Sequence, residues 1–180
     1  MLDSKKNIVL IGYRCTGKTT IGKKLSEKLK MPFYDTDDLI KKETGRSIPD
    51  LVSEKGWGFF RQKEREIIEC LSILEGCIFA TGGGAIQDKE NAANLKRNGI
   101  FIWLSADIET IAARMSGDQH NDGRPSLTGQ DAISEISEVL LKRLPHYKKL
   151  ADFSIDTSTV GADDAVEQII QWIRQTFKRE

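Results

Sequence analysis

The chain has 180 residues, and its 27 lysines and arginines are balanced by 27 aspartates and glutamates, so the formal net charge is zero. That length suits a single domain, 1–180, able to enclose a real core. The balanced charge gives no ground for a general nucleic-acid or membrane partner. No apolar stretch is long enough to span a bilayer and no secretory apolar region is read near the first residue, so a cytoplasmic protein is expected. The three cysteines, Cys15, Cys70 and Cys77, lack metal-site spacing and read as reduced thiols. Cys70 and Cys77 flank apolar residues and are expected to pack. His120 and His146 form no ligand cluster and are expected to be solvated or locally bonded.

In chain order, the first predicted strand is Ile8–Ile11. It runs into Gly12-Tyr-Arg-Cys-Thr-Gly-Lys-Thr19, which satisfies every fixed position of the GxxxxGK[ST] phosphate-binding pattern. Apolar residues at Ile21, Leu25 and Leu29 predict a helix beginning near Lys18. Glycines 12 and 17 let the backbone curl so that its N–H groups face phosphate oxygens, and the helix adds its positive N-terminal end. Lys18 is expected to reach the β and γ phosphates, and the Thr19 hydroxyl to ligate Mg²⁺. The ligand is therefore a nucleotide triphosphate with magnesium, held by Gly12, Arg14, Cys15, Thr16, Gly17, Lys18, Thr19 and Thr20. Cys15 stands where many such loops carry glycine and is expected to keep a negative φ, where a side chain is tolerated.

A second strand, Pro32–Tyr34, leads to Asp35-Thr36-Asp37 at the carboxyl edge of the sheet. One of these carboxylates can hold magnesium through water, and the other can accept a hydrogen bond from a substrate hydroxyl. Asp37 could instead cap the helix that follows. Phe60-Arg61-Gln-Lys-Glu64 is expected to open a long helix. Arg61 and Glu64, three apart, share a face, so the carboxylate can fix the rotamer of a guanidinium suited to an anionic substrate; a surface ion pair is the plainer alternative. The third strand, Cys77–Thr81, runs into Gly82-Gly83-Gly84, which permits close backbone approach to a ligand and should face the phosphate loop.

After a fourth strand, Ile100–Leu104, the polar stretch Ser116–Pro125 has no apolar periodicity. It reads as a surface loop or, preferably, as a lid over about 115–126 that carries Arg124 onto phosphates. Arg143-Leu-Pro-His-Tyr147 lies in a later helix, where Arg143 offers a second guanidinium or is simply solvated. The last strand is Phe153–Asp156. The last helix puts Val166, Ile169, Ile170, Ile173 and Phe177 on one core-facing stripe. Strands alternating with helices predict an α/β fold with a parallel sheet covered on both faces and ligands at the carboxyl ends of the strands.

The ordered set Gly12–Thr19, Asp35-Thr-Asp37, Phe60-Arg61…Glu64, Thr81-Gly-Gly-Gly84, Arg124-Pro125 and Arg143…Tyr147 resembles the shikimate kinase family across nearly the whole chain. That resemblance implies a three-layer P-loop fold like that of the nucleoside monophosphate kinases, with a central five-stranded parallel sheet. It implies transfer of the ATP γ-phosphoryl group to the 3-hydroxyl of shikimate with Mg²⁺; a monomer is expected, with nothing in the sequence that points to a protein partner. By the same resemblance Lys18, Asp37 and Arg124 are catalytic. Thr19 and Asp35 serve the metal. Asp37, Arg61, Gly82, Gly83, Gly84 and Arg143 bind shikimate, within a helical region of about 37–64. Arg114 lies against adenine. Trp57 and Val52 depart from the family's usual glutamate and phenylalanine. A gluconate kinase is the nearest rival, but Asp37 is followed by Asp38-Leu39-Ile40 rather than by His-Pro. A nucleotide kinase fits the two separated arginines and the triple glycine less well. A non-catalytic nucleotide-binding module would not need Asp37 or Arg124.

Overall fold

A computed structural model of the chain describes residues 5–117 and 132–177. Strand β1 (Asn7–Ile11) is buried along its whole length, because it lies in the middle of a sheet with helices on both faces. Its side chains alternate between two cores. Ile8 and Leu10 join the cluster under helices α1 (Lys18–Leu29) and α7 (Ala162–Thr176). Val9 and Ile11 join the cluster that includes Ile68 of α3 (Ile48–Ser72) and Tyr147 of α6 (Ala132–Leu150).

Among the described residues the other strands are β2 (Phe33–Asp35), β3 (Ile78–Ala80), β4 (Gly99–Ser105) and β5 (Phe153–Asp156), all parallel, in the order β2-β3-β1-β4-β5. The expected five-stranded parallel sheet is therefore present. In register, Leu10 faces Ala80 on one side and Ile102 on the other. The carboxyl ends of β1, β2 and β3 thus finish side by side, and each runs directly into one of the motifs described above. Helices α2 (Thr36–Thr44), α4 (Lys89–Lys96) and α5 (Ile108–Gly117) complete the layers. The stripe predicted in the last helix is real: Val166, Ile169, Ile170 and Ile173 are all buried. Phe177 caps that helix and packs at the edge of the same core.

Some local expectations are corrected. The helix carrying Arg61 does not open at Phe60. It runs from Ile48 and is interrupted at Gly56, whose φ of 80° and ψ of 166° start a new helical run at Trp57. Cys77 is buried as expected, but Cys70 is exposed. Its apolar neighbour along the chain, Leu71, points into the core, and adjacent helical positions do not share a face.

Gly22 of α1 marks where that helix touches the sheet most closely. A Cβ there would lie 2.3 Å from the Phe33 ring and 3.2 Å from Leu10. Gly22→Ala should therefore lower the unfolding free energy by about 1–3 kcal/mol through overpacking, although alanine is the better helix former. Urea unfolding checks this, and a stability equal to or above that of the parent would show that the ring gives way freely.

Candidate active site

The loop between β1 and α1 has room for glycine alone at its first turn. Gly12 has φ 145°, and a Cβ there would meet the Leu104 carbonyl oxygen at 2.2 Å. Gly17 has φ 90° at the N-cap of α1, so the free N–H groups of that helix open onto the loop. The Thr16 side chain is fully buried and donates to the Tyr13 carbonyl at 2.8 Å, so it holds the loop's shape and leaves its main chain for a ligand. Lys18 Nζ donates to the carbonyls of Gly12 (2.9 Å) and Tyr13 (2.6 Å), which lays the ammonium across the mouth of the loop. Cys15 does not keep the negative φ expected of it. It sits at φ 61°, in the left-handed region where a side chain is strained.

Asp35, the last residue of β2, meets Thr19 in the first turn of α1, where Thr19 Oγ1 donates to Asp35 Oδ2 at 2.7 Å. Asp35, not Asp37, caps α2: its Oδ1 accepts from the Asp37 N–H at 3.0 Å and the Asp38 N–H at 3.4 Å. Asp37 lies inside the first turn and is largely buried. Burial, and then the neighbouring Asp37 carboxylate, raise the pKa of Asp35 above the ordinary range. A hydroxyl beside a buried carboxylate gives a hard, all-oxygen donor set, which suits a magnesium ion that keeps most of its waters. Among the described residues no group of three or more histidine, cysteine or acidic side chains forms a closed metal cage. An open site of that kind leaves places for phosphate oxygens.

Next to the loop, a cavity is walled by Tyr13, Arg14, Asp37, Ile48, Trp57, Phe60, Arg61, Glu64, Gly82, Gly83, Gly84 and Arg143. The triple glycine explains how two arginines fit there. A Cβ at Gly84 would lie 2.5 Å from Arg61 Nη2, and one at Gly83 would lie 3.3 Å from Arg143 Nη1. The guanidinium groups of Arg61 and Arg143, 82 positions apart in the sequence, thus rest over adjacent glycines. At Gly82 a Cβ would meet Glu64 Oε1 at 2.6 Å and Asp37 Oδ1 at 3.0 Å. Arg61 Nη1 donates to Glu64 Oε2 at 2.5 Å, and its guanidinium lies 5.2 Å from the Phe60 ring and 5.7 Å from the Trp57 ring. The plain surface ion pair is thereby excluded, because Glu64 is 1% exposed. Arg143 is not a solvated helix residue either, since it stacks 5.7 Å over the buried Tyr13 ring.

On the other flank of the loop, a cavity of about 670 Å³ is bounded by Cys15, Gly17, Thr20, Ile21, Arg114, Gly117 and the segment Thr157–Ala162. Arg114 is anchored at its wall. It donates to the Cys15 carbonyl (3.1 Å), to Thr157 Oγ1 (3.1 Å) and to the Thr157 carbonyl (2.5 Å). Arg124, His120 and positions 118–126 of the expected lid lie outside the described residues, whereas its first positions, 115–117, are not loop but the last turn of α5. His146 is exposed, as expected. Val52 is packed in the cluster of Ile40, Ile48, Leu51 and Phe60, away from the cavity wall.

Three contributors escape a reading of the sequence. Tyr13 occupies a variable position of the loop pattern, yet it is 1% exposed and stacks under both Arg14 and Arg143. Ile48 lies in no motif. The segment Thr157–Ala162 follows β5, and the tendency of ligands to gather at strand carboxyl ends was the one signal available for it.

A GxxxxGK[ST] loop at the carboxyl edge of a parallel sheet, with an open cavity on one flank and a cavity walled by two arginines on the other, is the arrangement of a P-loop kinase. The comparisons with known proteins agree. Residues 14–174 match the family model described as shikimate kinase. The chain is 45% identical over 179 residues to the shikimate kinase of Syntrophus aciditrophicus, covering 94% of this chain and 91% of that one. It is 41% identical to the shikimate kinase of Caldicellulosiruptor bescii, covering 92% and 94%. The solved structure of the Acinetobacter baumannii shikimate kinase in complex with shikimate superposes with a TM-score of 0.90 at 31% identity, over 98% of this chain and 97% of that one. The chain belongs to the shikimate kinase family, whose members are ATP-dependent phosphotransferases acting on an alcohol group.

Two outcomes are expected. A non-glycine residue in the left-handed region carries about 1–2 kcal/mol of strain, so Cys15→Gly should raise the unfolding free energy by about 1 kcal/mol; an unchanged denaturation midpoint would show that the cysteine is unstrained. The pKa of Glu64 is raised chiefly by burial, with Arg61 opposing and Asp37 adding to the rise. The folded state therefore holds this proton at pH values where the unfolded chain has lost it. Stability contributed by the protonated acid is present below the ordinary glutamate range and is lost as pH rises through the raised value. Urea midpoints of the ligand-free protein measured from pH 4 upward should show that decline, and Glu64→Gln should flatten it. The same slope in both proteins would contradict the assignment.

Proposed function

We propose that this chain transfers the γ-phosphoryl group of ATP, with Mg²⁺, to the 3-hydroxyl of shikimate. The observation that carries the reading is the pair of guanidinium groups over Gly83 and Gly84, beside Asp37 and one loop away from Lys18. Two cations held by Glu64 and by stacking on aromatic rings suit a carboxylate, which accepts paired N–H bonds from such forks. Asp37, on the same cavity wall, suits a hydroxyl on the opposite side of a small ring.

Phosphoryl transfer depends on charge neutralisation and in-line placement more than on covalent help. In this reading the loop amides and Lys18 hold the β and γ phosphates. Thr19 and Asp35 would hold a magnesium ion, which would supply neutralisation of the triphosphate charge. Arg61 and Arg143 fix the acceptor's carboxylate, and Asp37 orients its hydroxyl. As the acceptor oxygen bonds to the γ-phosphorus, the bond to the β–γ bridging oxygen breaks. ADP then departs and the hydroxyl proton passes to Asp37. The distant clamp contributes to rate by placement, because binding energy far from phosphorus aligns the attacking oxygen. The cavity flanked by Arg114 and Thr157–Ala162 receives the nucleoside end. Arg124, by its place in the family's pattern, closes on the phosphates. Tyr13 and Trp57 supply the apolar walls of the acceptor site.

A coupled ADP-release assay with ATP and shikimate tests the reading, with gluconate and nucleoside monophosphates as controls. Activity is expected with shikimate, and a preference for either control would overturn it. Arg61→Ala should raise the acceptor KM at least about tenfold, the loss of one charge-assisted bond, whereas Lys18→Ala should abolish turnover. Gly84→Ala leaves every charged group in place but drives a methyl into Arg61. It should raise the acceptor KM with little change in the ATP KM, and unaltered kinetics would show that the clamp is not seated there.

A further inference from the structure

Arg14 belongs to two sites at once. It lies in the phosphate loop, four residues before Lys18, and it also walls the acceptor cavity. Its Nη2 donates to Glu135 Oε1 at 2.5 Å; the two side chains are 12% and 2% exposed. A carboxylate that deep keeps its charge only against a fixed cation, and removing one member of such a pair leaves an uncompensated charge behind.

Glu135 stands in the first turn of α6. On the same stretch of helix, Ile136 and Val139 belong to the buried cluster that also contains Tyr13 and Ile111. At the far end of α6, the Tyr147 hydroxyl donates to the Gly83 carbonyl at 2.5 Å. The helix is thus pinned at one end to residues 13 and 14 of the phosphate loop and at the other to the triple glycine. Arg143 projects between the pins, about 12 Å along the axis from Glu135 at 1.5 Å per residue. It stacks on the Tyr13 ring, which Arg14 also covers at 5.6 Å. Phosphate loop, ion pair, helix and clamp arginine form one continuous set of contacts.

We infer that Glu135 is a positioning residue which, through Arg14, docks α6 onto the phosphate loop and so makes nucleotide and acceptor binding reinforce one another. The two states are α6 docked and α6 released at its Glu135 end. A triphosphate or diphosphate that orders the loop favours the docked state, in which Arg143 is set for a carboxylate. By linkage, an acceptor that engages Arg143 must tighten the nucleotide by the same factor. The inference rests on the kinase reading above and adds to it a coupling that neither binding site needs by itself.

Calorimetric titration tests it: Mg·ADP with and without saturating shikimate, and shikimate with and without saturating Mg·ADP, on the full chain. In the parent protein each ligand should tighten the other by about fivefold or more, the usual lower end of such coupling. In Glu135→Ala the factor should fall below about two, while the Kd of Mg·ADP alone changes little. Glu135→Gln, which keeps the shape and one hydrogen bond, should retain part of the factor. If Glu135→Ala does not fold, Glu135→Gln decides, and its factor must fall by at least half. An unchanged factor in the variants, or a factor of one in the parent, overturns the inference and leaves the kinase reading intact. So does an equal weakening of every Kd together with a lower Tm, which marks a purely structural pair. A parent protein that does not bind shikimate at all overturns both.

Discussion

The site depends on one constraint of the sheet: β1 and β3 are parallel neighbours in a register that ends both strands at the same level, Leu10 beside Ala80. The two loops that leave them, one for phosphate and one of three glycines, must then share a small volume. They can do so only because side chains are missing where the backbones meet. A Cβ at Gly12 would strike the end of β4, those at Gly82 and Gly84 would strike Glu64 and the Arg61 guanidinium, and one at Gly83 would press on the Arg14 main chain and the Arg143 guanidinium at 3.3 Å. Glycine here is less a source of flexibility than of space, and that space is occupied by charged groups carried on α2, α3 and α6.

In the docked arrangement each charged group already has a partner within the protein. Arg61 is held by Glu64, Arg14 by Glu135, and Lys18 by two carbonyls of its own loop. Each cation is therefore oriented but can still accept an anion, so less conformational entropy is lost when a ligand arrives. The carboxylates carry the opposite tension. Burial raises the pKa of both Asp35 and Glu64, and for each of them the charge of Asp37 adds to the rise. A cation near the first, and a hydrogen-bonding substrate near the second, would relieve that tension on binding. Stability is thus traded for affinity at the positions where the chemistry is proposed to occur.

Much of this was legible in the chain. The loop pattern, the strand–helix alternation and the run of glycines are local signals, and the structure places β5 and the last helix where the apolar pattern puts them. What was not legible is of two kinds. One kind is backbone conformation: composition does not report that Cys15 has a positive φ, that Asp35 rather than Asp37 caps its helix, or that the helix of Arg61 extends back through a break at Gly56. The other is partnership at long range. Glu135 and Arg14 are 121 positions apart, and nothing near either residue announces the pair. Tyr13 carries no signal of its own, because a motif's variable positions read as spacers, although here the side chain at such a position builds the wall between two arginines.

The position of the acceptor decides whether the two arginines form a substrate clamp. A crystal structure of the protein with Mg²⁺, ADP and shikimate measures this directly. The carboxylate of shikimate is expected between the guanidinium groups of Arg61 and Arg143, and its 3-hydroxyl against Asp37 on the side facing the nucleotide. A carboxylate bound elsewhere, or a ring turned so that this hydroxyl points away from the phosphate loop, would contradict that placement.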